Sequence, residues 1–307
     1  MSAARPLAVS VTGLHKQFEG VVALRDIGFS VPAGTTAALV GPPSCGKSTL
    51  LEILLGLVRP DSGVTEVDRT GGVGALLQPR GLHPARTARA QLRVYAAATG
   101  ADNARVEALL ALVRLDQDAE RRVRDLSEGQ QTRLALAQAL LADPRLLVLD
   151  DPFHGLDPAE RTWLFDYLRR HARRGGTTLL TSPSLAAAVP ICDQVVVLAG
   201  GSMTYQGSPR RLRRTHPDRL VVAVSSPIAL ATTLASQGFT DAVMRGDGRL
   251  AVAEADPAEI EAAARLAGVR IEHMVAEPVH PDRVLAILTK NAPPAYSAPA
   301  ASTYGTR

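Results

Sequence analysis

Short apolar stretches alternate with amphipathic ones along the first two thirds of the chain. In residues 7–31 apolar and polar positions alternate, which predicts strands with one buried face. Short apolar runs typical of buried strands follow at residues 36–40, 73–78, 145–150, 177–181 and 194–198. Between them, helical spacing predicts helices at residues 50–57, 86–124, 126–141 and 158–174. This alternation predicts an α/β fold with a mostly parallel sheet that binds ligand at the carboxyl ends of its strands.

The pattern changes after about residue 215. Residues 219–275 alternate as strand, helix, strand, strand, helix and strand, and residues 282–289 form a final helix. We therefore expect a domain at 1–215, with a helical subdomain at about 86–140, and a small ferredoxin-like βαββαβ domain at 216–290. Residues 291–307 have an unpatterned composition rich in Ala, Pro, Ser and Tyr, which predicts a disordered tail.

The most informative motif lies between the strand at 36–40 and the following helix. It fits the phosphate-loop pattern G-x-x-x-x-G-K-[ST] in the strand–loop–helix context that the pattern requires. Its residues are Gly41, Pro42, Pro43, Ser44, Cys45, Gly46, Lys47, Ser48 and Thr49. In such a loop, backbone N–H groups and the helix N-terminus bind phosphate, Lys47 reaches the β- and γ-phosphates, and Ser48 ligates Mg²⁺. The chain is therefore predicted to bind a nucleoside triphosphate.

Two acids end the apolar strand at 145–150. Asp150 is the expected Mg²⁺ partner, and Asp151 can face the γ-phosphate. The alternative is an acid pair that only caps a helix ahead of Pro152. Their place at a strand terminus of an α/β sheet favours the functional interpretation.

Composition narrows the class of protein. The 307 residues are 46% apolar and carry a net charge of +4, and no stretch approaches 18 consecutive apolar residues. The N-terminus lacks the apolar core of a signal peptide, so we expect a cytoplasmic protein. Two cysteines allow no disulfide framework. Arg residues are spread along the chain without interleaved aromatics, so no nucleic-acid partner is expected.

Further motifs resemble those of ATP-binding cassette (ABC) proteins. Leu126–Gln130, which reads LSEGQ, resembles the family's signature sequence LSGGQ, and Gly155–Asp157 resembles its D-loop. Gln78 stands at the position of the Q-loop glutamine, and Phe18 at that of the aromatic residue that stacks on adenine. The resemblance covers about residues 7–215, with the motifs in the family's order. Residues 73–100 look most like cassettes of daunorubicin-resistance-type exporters.

The resemblance implies a P-loop NTPase cassette with a mostly parallel core sheet, an antiparallel β subdomain and a helical subdomain. Two cassettes would pair head to tail, each ATP lying between the phosphate loop of one and the signature turn of the other. It implies that Gln78 acts with Asp151 in hydrolysis and also belongs to the Mg²⁺ site. Ser127, Gly129, Gln130 and Asp157 would face the nucleotide across the interface. Integral membrane permease subunits would dock on residues 86–124, placing the protein on the inner face of the plasma membrane.

The chain departs from the family at four positions. Asp151 replaces the usual catalytic Glu, and Pro183 replaces the switch histidine. A carboxylate withdrawn by about 1.5 Å and a missing donor predict slow hydrolysis; alternatively, Asp151 adjusts its backbone and serves as the base. Ser44 replaces a loop glycine. Glu128 replaces a signature glycine, where it weakens ATP closure if it points inward and caps its helix if it points outward.

Three functions follow from these residues. The first is the ATP-hydrolysing subunit of a membrane transporter, which we expect to be an exporter. The second is a regulatory or structural protein whose ATP-driven dimerisation is its output. The third is a soluble ATPase acting on nucleic acid or ribosomes, and it is disfavoured because such proteins usually carry two cassettes or a long coiled coil.

Overall fold

The computed structural model describes residues 5–216, 218–253 and 255–290. The chain divides into two compact units, with boundaries after Pro209 and after Val284, and residues 285–290 belong with the first unit. The division into domains at residue 215 stays a prediction, and the tail predicted at 291–307 lies outside the described residues.

The first unit begins with an antiparallel sheet. Its strands are β1 (Leu7–Phe18), β2 (Val21–Pro32) and β4 (Ser62–Val67), in the order β2-β1-β4. The alternating pattern of residues 7–31 thus forms a hairpin that buries Val9, Val11, Ile27 and Val31. Strand β4 was not anticipated. Its Ser-Gly start reads as a turn, but β1 supplies the neighbouring strand that orders it.

The six-stranded sheet carries the site. It contains β3 (Thr36–Val40), β5 (Val73–Leu76), β6 (Leu146–Leu149), β7 (Thr177–Ser182), β8 (Gln194–Ala199) and β9 (Ser202–Gly207). The order is β5-β6-β7-β3-β8-β9, parallel except for the last pair. The mostly parallel α/β sheet predicted from the sequence is confirmed. Because β7 lies between β3 and β6, the carboxyl ends of these three strands meet at one edge.

The helices of this unit begin and end at residues that differ from several of the predicted boundaries. They are α1 (Lys47–Leu55), α2 (Ala88–Thr99), α3 (Asn103–Leu112), α4 (Glu128–Ala139), α5 (Pro158–Arg173) and the short α6 (Leu185–Ala188). The helical stretch predicted at about 86–124 contains two α-helices and ends at Leu112, because Gly100 in the left-handed conformation ends α2 and Asp102 caps α3. The strand predicted at 73–78 ends at Leu76, since its ladder partner β6 ends at Leu149.

The second unit forms a four-stranded antiparallel sheet with two helices. After α7 (Pro209–Thr215), its elements are β10 (Arg219–Val224), α8 (Pro227–Ser236), β11 (Ala242–Met244), β12 (Leu250–Ala253), α9 (Pro257–Leu266) and β13 (Ile271–Glu277). Helix α10 (Pro281–Thr289) follows, and the boundary after Val284 falls within it. The strand order is β11-β12-β10-β13. Leu220, Val222, Leu250 and Val252 pack with Leu230, Leu234 and Ile260 of the two helices in a separate core.

None of the helices in the described part of the chain is both long enough and apolar enough to span a lipid bilayer.

Candidate nucleotide-binding site

The phosphate loop connects β3 to α1 in a conformation that needs small residues. Gly46 has a φ of 101°, and a Cβ there would lie 2.5 Å from the carbonyl oxygen of Ala23. Ser44 also adopts a left-handed conformation, with a φ of 61°. A non-glycine residue pays about 1–2 kcal/mol for this backbone, so the glycine-to-serine departure is tolerated at a cost.

Lys47 is folded back over the loop. Its Nζ donates to the carbonyl oxygens of Gly41 and Pro42 at 2.9 and 2.8 Å. Cys45 lies beneath it, and burial raises the pKa of this thiol. A protonated, buried thiol is not a nucleophile, so Cys45 serves as a packing residue here.

A cavity of 260 Å³ opens beside this loop. It is lined by Phe18, Ala23, Ser44, Gly46, Lys47, Ser48 and Thr49. Phe18 ends β1 and keeps 37% of its surface exposed, with Lys16 Nζ 4.9 Å from its ring centroid. The structure therefore brings the predicted adenine-stacking residue and the phosphate loop to one cavity, and a flat base could lie on the exposed ring.

Asp150 joins three elements at the edge of the sheet. Its carboxylate is buried, and Ser48 Oγ donates to its Oδ2 at 2.8 Å. Thr181 Oγ1, at the end of β7, donates to its Oδ1 at 2.5 Å. The predicted Mg²⁺ ligands Ser48 and Asp150 are thus adjacent, across 102 positions of sequence.

Thr181 was missed by the sequence analysis, although its hydroxyl serves both acids. Besides donating to Asp150, Thr181 Oγ1 accepts from the backbone N–H of Asp151 at 2.9 Å. The parallel register pairs Leu149 with Leu180, so the residues that follow them lie side by side. A polar residue ending an apolar strand was the available signal, but the sequence does not tell that β7 neighbours β6.

Asp151 holds a strained backbone, with a φ of 43°. Its Oδ2 lies 3.6 Å from Nδ1 of His154. Burial raises the pKa of Asp151, and the positive charge available on His154 acts against that rise. A carboxylate with a raised pKa is a better proton acceptor than an ordinary one, as a general base requires.

The residues present fit a hydrated Mg²⁺ bound together with phosphate. Ser48 and Asp150 offer hard oxygen ligands, which this ion prefers. The part of the chain that the structure describes has no group of three or more His, Cys, Asp or Glu able to hold a metal. Phosphate oxygens would therefore have to complete the coordination. Gln78, also predicted as a ligand, lies exposed in the loop after β5.

The turn at 126–130 begins α4 with a complete capping box. Ser127 Oγ accepts from the backbone N–H of Gln130, and Gln130 Oε1 accepts from the backbone N–H of Ser127. Gln130 also donates to Asp118. The hydroxyl hydrogen of Ser127 therefore remains available to a ligand, whereas the side chain of Gln130 already forms hydrogen bonds within its own chain.

Gly129 and Gly155 pack against each other. A Cβ on Gly129 would lie 2.5 Å from the carbonyl oxygen of Gly155, and a Cβ on Gly155 would lie 2.9 Å from the nitrogen of Gly129. Asp157 caps α5, its side chain accepting from the backbone N–H of Glu160 at 2.8 Å. The first turn of α4 and the turn before α5 are therefore in direct contact.

Comparison with known proteins agrees with these motifs. The family model described as ABC transporter matches residues 24–154. The Nod factor export ATP-binding protein I of Bradyrhizobium sp. (strain SNU001) is 37% identical over 223 residues, which cover 68% of this chain and 73% of that protein. This chain belongs to the ABC transporter family of ATP-binding proteins.

Other relatives of this ABC protein differ in what they transport. The Fe(3+) ions import ATP-binding protein FbpC 1 of Rhodococcus jostii (strain RHA1) is 36% identical over 69% of this chain and 65% of its own. A solved ATP-binding subunit of an ABC transporter is 27% identical, with a TM-score of 0.61 over 68% of this chain and 93% of that chain. A dimeric cassette in a post-hydrolysis state with ADP and Pi shares the fold, at 22% identity and a TM-score of 0.60 over 66% and 99% of the two chains.

The structure settles the orientation of Glu128 in the isolated ABC cassette. Its Oε1 lies 2.7 Å from Nε2 of His154, so the carboxylate is bound by its own chain. This arrangement is neither of the two orientations predicted from the sequence. His154 lies in the loop before α5, four residues ahead of Pro158, and no local sequence pattern pairs it with α4.

Pro183 follows β7 and is exposed. Its neighbours Ser182 and Ser184 are engaged with each other, Ser184 N donating to Ser182 Oγ at 3.1 Å. Since proline has no side-chain donor, this ABC cassette offers no hydrogen bond to phosphate from the side chain at that position.

Proposed function

We propose that this ABC protein is the ATP-hydrolysing subunit of a membrane exporter. The observation that carries the proposal is the assembly of Lys47, Ser48, Asp150 and Thr181 at the edge where β3, β6 and β7 end. The amine would bind the β- and γ-phosphates, and Ser48 and Asp150 would hold Mg²⁺. Bound Mg²⁺ would neutralise the phosphate charge, and the chain's own groups would position the nucleotide.

The working form we propose is a head-to-tail pair with a second cassette. Ser127, at the exposed start of α4, would donate to the nucleotide held by the other subunit. Integral membrane permease subunits would couple closing and opening of the pair to export, with this chain on the inner face of the plasma membrane. The export names of the two Bradyrhizobium relatives, at 37% identity, favour that direction over the import name of the Rhodococcus relative, at 36%.

Hydrolysis is proposed to be slow. Asp151 is one methylene shorter than Glu, so its carboxylate lies about 1.5 Å further from a given backbone position, and a displacement of about 1 Å can lower a rate on the order of a hundredfold. Pro183 adds no donor. These two positions also support the second candidate, a regulatory or structural protein whose output is ATP-driven dimerisation without efficient turnover.

Three variants test the proposal. Lys47→Ala should abolish binding of Mg-ATP by equilibrium dialysis, because the loop's cation is lost. Asp151→Asn should retain binding and lose turnover. Asp151→Glu should raise kcat by about tenfold, since the longer side chain restores the reach. A wild-type rate equal to that of a full-motif cassette, abolished in Asp151→Asn, would contradict slow hydrolysis, and absent ATP binding would refute the function itself.

Transport has its own test. A neighbouring gene encoding about six hydrophobic spans, and co-isolation of its product with this chain from salt-washed membranes, would support the exporter. Purely cytosolic behaviour together with dimerisation on ATP would favour the regulatory candidate.

A further inference from the structure

His154 lies between two carboxylates on different elements. Its Nε2 is 2.7 Å from Glu128 Oε1 at the start of α4, and its Nδ1 is 3.6 Å from Asp151 Oδ2 after β6. The short contact is a hydrogen bond and the longer one an ion-pair distance. Glu128 therefore orients the ring, and the ring faces Asp151.

The carboxylate of Asp151 has few other restraints. Its backbone is held at both ends of the residue, because Asp151 N donates to Thr181 Oγ1 at 2.9 Å and His154 N donates to Asp151 O at 3.2 Å. The side chain has one ion-pair partner among the described residues, which is His154. The direction of the carboxylate thus depends on where the imidazole is held.

The imidazole is held from α4. Thr132 Oγ1 of that helix donates to the backbone carbonyl oxygen of His154 at 2.8 Å, and Glu128 binds the ring itself. The close packing of Gly129 on Gly155 leaves no room for the two turns to shift independently. The signature turn and the turn carrying His154 are therefore linked by backbone and side chain together.

We propose that His154 is a positioning residue for ATP hydrolysis, which Glu128 holds so that its imidazole directs the carboxylate of Asp151. The proposal rests on the proposed function, because it assigns the orientation of the group proposed as base. It also accounts together for two departures from the family pattern, because Glu128 holds the histidine that directs Asp151. Since the side chains of His154 and Glu128 are 48% and 59% exposed, their pair adds little to folding stability, and the effect belongs in the rate.

The two arms of the imidazole can be separated by substitution. An Asn side chain places its amide nitrogen near the Nδ1 position, so His154→Asn keeps a donor toward Asp151. A Gln side chain reaches the Nε2 position, so His154→Gln keeps only the contact with Glu128. The set is completed by His154→Ala, Glu128→Gln and the double variant Glu128→Gln/His154→Ala. His280→Ala is the matched control, an exposed histidine 4.0 Å from the Asp282 carboxylate.

The measurement is the ATP turnover of the full chain with Mg²⁺, as kcat and KM, or single-turnover rates where the cycle is slow. We expect His154→Ala to lower kcat by about tenfold with KM within about twofold. The kcat of His154→Gln should equal that of His154→Ala, and the kcat of His154→Asn should lie between those of His154→Ala and wild type. The double variant should be no slower than the slower of its two single variants. His280→Ala should equal wild type.

Other outcomes overturn the inference. Unchanged kcat in His154→Ala, or single effects that multiply in the double variant, would show that the contacts do not act together. If His154→Gln kept the wild-type kcat and His154→Asn did not, the role of His154 would be to neutralise Glu128 instead. A change confined to KM would place the effect in nucleotide binding. If wild type binds no Mg-ATP, the proposed function fails as well, whereas normal binding and turnover in wild type with an unaltered His154→Ala rejects only the positioning role.

Discussion

Thr181→Val removes a single hydroxyl that serves both acids of the site. The side chain is fully buried, and valine keeps its shape. Two hydrogen bonds are lost, at 2.5 Å to Asp150 Oδ1 and at 2.9 Å from Asp151 N. A bond to a charged, buried group contributes about 1.5–3 kcal/mol, and the unpaired N–H adds about 1 kcal/mol. We expect the free energy of unfolding to fall by about 3 kcal/mol.

The catalytic effect should be larger in kcat than in KM. Asp150 loses one of its two anchors, and the backbone of Asp151 loses the partner that supports its left-handed conformation. We expect kcat to fall by one to two orders of magnitude, because displacements of about 1 Å have such effects. Thr181→Ser keeps the hydroxyl and should retain most of the rate.

The same strand supplies a matched control. Thr178 is equally buried in β7, but its hydroxyl has no hydrogen-bond partner among the described residues. Thr178→Val should therefore be neutral or slightly stabilising. Urea unfolding followed by the fluorescence of Trp163, the chain's single tryptophan, reports on the first unit. If Thr181→Val costs no more than Thr178→Val, or turnover is unchanged, the hydroxyl does not hold the two acids.

Three further predictions use other features. Ser44→Gly should raise the unfolding free energy by about 1 kcal/mol, because relief of the left-handed strain exceeds the added entropy of the unfolded chain; a less stable variant in urea would contradict this. Burial lowers the pKa of His171, so the folded state resists protonation. Its stabilising contribution should be complete above about pH 6.5 and decline as pH falls through the lower folded pKa. Urea unfolding of wild type and His171→Leu from pH 8 to 5 should therefore diverge at low pH, whereas parallel curves would reject it. Gly155→Ala should cost about 2 kcal/mol or more, since its φ is 74° and the new Cβ would lie 2.8 Å from Glu128 Cγ; an unchanged Tm would disprove the close packing.

Local patterns were sufficient for the parts of the site that are continuous in sequence. The loop from Gly41 to Thr49 carries its own glycines, its cation and the following helix, so its geometry depends on neighbours along the chain. Ser127 capped α4 as the pattern predicts. The apolar runs likewise predicted the parallel strands, because a strand buried on both faces must be apolar throughout. The break within the helical stretch at 86–124 was not predicted, because hydrophobic spacing continues across Gly100.

The contacts between distant segments depend on strand order and packing, which no local pattern encodes. Thr181 meets Asp150 because β7 lies between β3 and β6, although β3 comes first in the chain and β7 last of the three. Glu128 binds His154 because Gly129 and Gly155 let two turns approach within van der Waals distance. Nucleotide binding can be predicted from the sequence alone, because the residues of the phosphate loop lie close together in the chain. The directions of the Asp150 and Glu128 carboxylates are fixed by groups 26 to 102 positions away, because folding alone brings those groups within hydrogen-bond distance.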